Sequence, residues 1–162
     1  METGLFGKLP AAGDFVSRGI SGHVRRGIDH WLALNIVAIA RQAQHWPYGG
    51  VRAVLSIEAM PWLLVIEPSE DAVGRAYPLV ACAPLNGADR DSGDVWADAA
   101  WTTLLKAIEK GAPADAVYNA LGTIAPPAPT DKPLKAPLIW WEGRAACAPK
   151  DQLERLTQIS SG

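Results

Sequence analysis

Residues 4–19, GLFGKLPAAGDFVSRG, decide how the rest of the chain is read. The run opens with a short strand, expected over 3–9, in which Leu5, Gly7 and Leu9 share one face of the pleat. Pro10 lacks an N–H donor, so it ends pairing there or marks a sheet edge. Residues 11–14 then turn. Gly13 supplies backbone freedom, and the Asp14 carboxylate accepts from nearby N–H groups. Phe15 and Val16 are expected to return to the core.

Outward from this stretch, the hydrophobic periodicity switches twice. A helix is expected over 21–45, capped by Ser21, with Ile28, Leu32, Ile36, Ile39 and Ala43 on one stripe. Trp31, Leu34 and Ala38 widen that stripe, so the helix is expected to be buried on more than one side. Trp46-Pro47 ends it. Strands are expected over 51–57, 61–67 and 76–83, joined by short connections as an antiparallel meander. The middle one contains WLLVIE, a continuous apolar run that fits a strand covered on both faces. Pro78 suggests an edge or a bulge in the third.

A second long helix is capped by Asp91 or Asp94 and runs to Lys110, with Trp96, Ala100, Leu104 and Ala107 as its buried stripe. Gly111 is placed to end it, and Pro113 restarts a short helix to Leu121. Residues 123–137 form a proline-rich connector. A last strand over 138–141 and a helix over 149–159 follow, with Leu153, Leu156 and Ile159 inward. The order predicts an α/β (α+β) three-layer sandwich. Its central sheet is mixed but largely antiparallel, with about five strands and helices on both faces, in a single domain over 1–162.

Composition narrows the function. With 49% hydrophobic and 20% charged residues, the 162-residue chain has a globular balance. A net charge of −2 leaves no basic footprint for nucleic acid. Cys82 and Cys147 stand alone without metal-ligand spacing, which fits a reducing compartment. The start carries Glu2 and lacks a basic, then apolar, leader. No apolar run is long enough to cross a bilayer, so a cytoplasmic protein without membrane insertion is expected.

The familiar chemical motifs fail on inspection. Gly7-Lys8 resembles a phosphate loop, but Glu2 occupies the first glycine position and Leu9 the Ser/Thr position. Ser21 is followed by His23 where a nucleophile elbow needs glycine, and reads better as a helix cap. His23 and His30 share a helix face without ligand spacing, so no metal and no cofactor is expected. Cys82 lies in an apolar strand and reads as core, and Cys147 as an incidental loop thiol. Two charged groups remain: Asp14 with Arg18, and Asp71 with Arg75. Each sets acid and base four residues apart beside a glycine. They fit a cross-loop network, a partner-binding surface or a catalytic pair.

Both groups sit in segments that resemble the signatures of the TagF family, accessory proteins of bacterial type VI secretion. Gly7, Lys8, Leu9, Pro10 and residues 13–18 match a GKLP–GDFVSR opening. In PSEDAVGRAYPL, residues 68–79, the matched positions include Pro68, Ser69, Asp71, Gly74, Arg75 and Pro78. Asp29 and Trp31 also fit. The family's Trp-Arg-Phe strand survives here only as Arg52, and Ala76 replaces an aromatic residue.

The resemblance implies a cytoplasmic, non-enzymatic repressor of type VI secretion, acting after translation. It would bind a forkhead-associated-domain scaffold protein within a threonine-phosphorylation circuit. Lys8, Asp14, Arg18, Asp71 and Arg75 are the candidate partner-binding or loop-network residues. The two loops are expected to meet, with Asp14 and Arg18 reaching the second. The alternative is a small phosphate-ligand-binding protein or enzyme with a charged cleft built from Asp14, Arg18, Asp71 and Arg75.

Overall fold

The sheet grows in both directions from β1 (Gly4–Gly7), which has antiparallel neighbours on either side. Residues 3–162 are described by the structure, a computed structural model; Glu2, used above to exclude a leader and a phosphate loop, lies outside them. On one side β1 pairs with β2 (Val16–Arg18), and on the other with β5 (Leu79–Pro84). Beyond β5 lie β4 (Met60–Glu67), β3 (Val51–Ile57) and β6 (Leu138–Trp140), giving the order β2-β1-β5-β4-β3-β6. The expected meander is β3-β4-β5. Among the described residues the sheet has six strands, and every pairing is antiparallel, so it is not mixed. The additional strand is β2, whose three residues are too few to display alternation in a sequence.

Alternation along the central strands feeds two cores. Leu63 and Val65 face one side with Leu5, Leu9 and Leu79; Trp62, Leu64 and Ile66 face the other with Phe6 and Val80. The first core is covered by α3 (Arg90–Lys110) and α4 (Ala114–Leu121). The second is covered by α1 (Gly22–Asn35), α2 (Val37–Gln42) and α5 (Pro149–Ser160). The result is the expected three-layer sandwich.

Several boundaries moved for local reasons. β1 stops at Gly7, where the backbone adopts φ +130, so the pairing expected to continue to Leu9 is lost. Pro10 lies beyond β1, and β1 is interior, not an edge. The first helix is two helices. Asn35 donates its amide to Trp31 O at 2.9 Å, and Ile36 leaves helical geometry at φ −120. It also ends at Gln42, because Gln44 and His45 donate their N–H groups to Ser160 O instead.

The α3 cap is neither Asp91 nor Asp94 but Asp89, which accepts from Ser92 N at 2.9 Å, an arrangement worth about 1 kcal/mol. Gly111 closes α3 in the left-handed conformation as expected. In α5, Leu156 is buried but Ile159 is 43% exposed; Gln152 and Ser160 point inward instead. Gln152 is satisfied there, donating to Ile139 O and Ala145 O at 2.7 Å each. The connector over 123–137 lies along the start of α3, where Ser92 Oγ donates to Ala128 O and Thr130 N to Gly87 O.

Candidate functional site

The two signature loops meet at the end of the sheet where β1 stops and β5 begins. Gly7 makes this approach possible. A Cβ placed there would lie 2.0 Å from Pro78 O. Lys8 follows Gly7 and is nearly buried. Its Nζ stands 3.1 Å from Asp71 Oδ2 and 4.9 Å from the centre of the Phe15 ring.

Asp71 is the hub. Its Oδ1 accepts from Val73 N and Arg75 N at 3.0 Å each, and its Oδ2 accepts from Arg75 Nε at 2.8 Å. Burial alone would push this carboxyl up. The bonds from Arg75 N, Lys8, Val73 N and the Arg75 side chain outweigh burial and hold it well below the usual carboxylate range. Arg75 then crosses to the first loop and donates to Gly13 O at 2.7 Å, while Ala72 N donates to Ala12 O at 2.8 Å. Lys8, Asp71 and Arg75 therefore form a clasp that holds the loops together.

Asp14 and Arg18 do not reach the second loop. The exposed Asp14 accepts from the adjacent Phe15 N at 2.7 Å. Arg18 donates from Nε to Asp115 Oδ1 of α4 at 2.8 Å. The reason is pleat parity. Val16 and Arg18 share the face of β2 that looks toward α4, whereas Phe6, Phe15 and Tyr77 gather on the opposite face. The four-residue charged cleft is not formed.

Phe15 does not enter the core. It is 47% exposed, stacked on Phe6 at 5.8 Å and edge-on to Tyr77 at 4.7 Å. The Tyr77 hydroxyl donates to Asp29 Oδ1 of α1 at 2.5 Å, so the clasp is also tied to the first helix. Burial, then the bond to Asp29 and its charge, push the Tyr77 hydroxyl above its ordinary range. The thiol of buried Cys82 is pushed up to about 12 by burial, as befits a core residue.

The sequence model described as the TagF N-terminal domain, type VI secretion system-associated, matches residues 4–124. The chain belongs to the TagF family. The crystal structure of PA0076 from Pseudomonas aeruginosa PAO1 is similar, with a TM-score of 0.64 and 26% identity over 99% of this chain and 79% of that one. No curated protein matches. Both clasp loops lie inside the family match. β6 and α5 lie outside it, yet β6 completes the sheet edge beside β3 and α5 covers part of the second core.

Two charged contacts escaped the reading from sequence, which marked Arg52 only as the remnant of the Trp-Arg-Phe strand and did not mark Glu67. Arg52 of β3 is buried and donates to Asp94 Oδ1 and Asp98 Oδ1 of α3, at 2.7 Å each. An arginine inside an apolar strand, with acids at helical spacing elsewhere, was the available signal. The other is Glu67 at the end of β4, which accepts from Trp101 Nε1 at 2.9 Å. Burial, partly opposed by that bond and reinforced by the charge of Glu109, raises its carboxyl from 4.5 to about 7.

Between those two values the folded protein holds a proton that the unfolded chain releases. Stability therefore falls as pH rises from 4.5 to about 7, then levels off. Glu67→Gln keeps the acceptor for Trp101 and removes the buried charge. It is expected to raise stability at pH 8 by about 2 kcal/mol and to flatten this window, in urea unfolding at pH 5 and pH 8. An unchanged pH slope refutes the assignment.

Among the described residues, no helix is long and apolar enough to cross a membrane, and no group of three or more His, Cys, Asp or Glu side chains is placed to hold a metal ion.

Proposed function

We propose that this TagF-family chain is a non-enzymatic cytoplasmic regulator that represses type VI secretion by docking on a forkhead-associated-domain scaffold protein. The docking face is the clasped end of the sheet. One observation carries this reading. Asp71, the most enclosed acid of the signature loops, has both oxygens engaged by the clasp, while apolar Phe15 and Val73 stay exposed beside it. An acid held in this way positions loops and has no idle oxygen for proton transfer. Exposed apolar groups on a rigid, charged rim suit a protein partner. Family membership supplies the pathway.

The mechanism is occupancy. The clasped end binds the scaffold and blocks a site that further assembly needs. Two measurements check it. Removing the gene is expected to raise secretion of type VI substrates, and the tagged protein is expected to capture a forkhead-associated protein from its native bacterium. Unchanged secretion, or capture of no secretion component, contradicts the proposal.

A further inference from the structure

A cavity of about 490 Å³ opens beside Arg52, bounded by the start of β3, the first half of α3 and the residues after β6. Its walls combine aromatic rings with charge. Tyr48 is 73% exposed and meets the buried Trp101 edge-on, with centroids 4.8 Å apart. The Trp140 ring carries the Arg90 guanidinium 5.6 Å from its centre, so one cation already lies over an indole here.

The charges are unevenly committed. Arg52 is held by Asp94, Asp98 and Gly49 O. Arg90 is held by Asp94, Arg144 O and Trp141 O. Asp94 is the most heavily engaged of the acids, since Trp140 Nε1 also donates to its Oδ1 at 3.0 Å and Arg90 Nε to its Oδ2 at 3.3 Å. Two acceptors stay available. Asp98 uses only Oδ1 and its side chain is 72% exposed, and the exposed Glu142 has no ion-pair partner among the described residues. An anion entering the cavity would meet carboxylates and two cations already paired. A cation would meet the same two arginines, each already neutralised by its partners, together with two carboxylates with spare oxygens and an aromatic wall.

We propose that this cavity binds an arginine side chain presented by a partner polypeptide. A planar guanidinium suits the site better than an ammonium, because it bonds carboxylates in a fork and stacks on aromatic rings together. A polypeptide source fits the location. The register runs from Ile66 opposite Val51, through Glu67 opposite Leu79, to Leu79 opposite Gly7. The cavity therefore opens at the same end of the sheet as the clasp, on the α3 side. The polypeptide source rests on the clasped end being the docking face, whereas the preference for a guanidinium follows from the cavity walls alone.

The test titrates the full chain with a blocked Ala-Arg-Ala peptide, following the indole N–H signals of Trp101 and Trp140 by NMR. Saturable binding is expected with a Kd on the order of 1 mM, weakened by salt. The peptide with citrulline in place of arginine is expected not to bind, the lysine peptide to bind less tightly, and inorganic phosphate to leave both signals unmoved. Glu142→Gln, at an exposed and unpaired position, is expected to weaken binding severalfold without altering Tm. Adding Asp98→Asn is expected to bring the loss to at least about tenfold. Equal binding of the arginine and citrulline peptides, no saturation by about 10 mM, phosphate moving the same signals, or wild-type affinity in Glu142→Gln overturns the proposal.

Discussion

Gly7→Ala is expected to cost more than about 4 kcal/mol and to move the protein into the insoluble fraction. Two effects add at this position. The backbone φ of +130 is open to glycine and strained for any side chain. The new Cβ would also lie 2.0 Å from Pro78 O and 3.0 Å from Leu79 Cα. Both are backbone atoms, one on the residue that leads into the interior strand β5 and one on its first residue, so neither yields without disturbing the β1–β5 ladder. Gly13→Ala, six residues on in the same signature, is the control. A Cβ there meets nothing within 4 Å, and the change is expected to fall within about 0.5 kcal/mol of neutral. Circular dichroism melts of the soluble fractions separate the two. Comparable Tm values would refute the close approach of Gly7 to Pro78.

Asp71→Asn is the second large effect. Asparagine keeps the shape but removes the charge that Lys8 and Arg75 converge upon, and its amide sets two donors against the donors around it. Lys8, nearly buried, is left without a counter-ion. A fall in Tm of roughly 5–10 °C is expected at neutral pH. The pH dependence has a fixed sign. The Asp71 carboxyl is depressed in the folded state, so its contribution is complete above the unfolded value of 3.8 and is lost as pH falls toward the folded value. The variant is expected to lose that acid limb while keeping the Glu67 limb above pH 4.5. An acid limb as steep as in the wild type would show that other carboxylates produce it.

The parts of the fold that could be read from sequence were those whose pattern repeats. WLLVIE announced a strand covered on both faces, and β4 feeds both cores. The Trp96, Ala100, Leu104 and Ala107 stripe with Gly111 gave α3 its face and its end. What escaped depends on one or two contacts, some of them made far away in the chain. Three residues of β2 exist as a strand only because β1 lies alongside. The break at Ile36 is local, one residue at φ −120 beside the side-chain bond of Asn35 to Trp31 O, and leaves the apolar stripe unbroken in sequence. Arg52 stood out only as the remnant of the family's Trp-Arg-Phe strand, and its partners Asp94 and Asp98 are brought to it by α3, 42 and 46 residues away.

The candidate site divides the same way. That the two signature segments meet was legible, but the contact was expected through Asp14 and Arg18, and Lys8 and Arg75 make it instead. The placement of Asp14 and Arg18 was not legible, because the parity of β2 sends Arg18 to Asp115. Exposure of Phe15 was equally hidden. Its ring is supported by Phe6 and Tyr77 without being covered by them.

The central claim is that the clasped end of the sheet is the docking face. Val73 is 70% exposed at the tip of the second loop, and only its backbone N–H takes part in the clasp. Val73→Lys therefore alters the surface and leaves the clasp in place. The direct measurement is isothermal titration of the purified protein, wild type and Val73→Lys, against the proposed partner, a forkhead-associated-domain scaffold protein from its native bacterium. Saturable binding by the wild type is predicted, with at least about a tenfold loss in the variant at an unchanged Tm. Equal affinity for the two proteins, or no binding by the wild type, would contradict it.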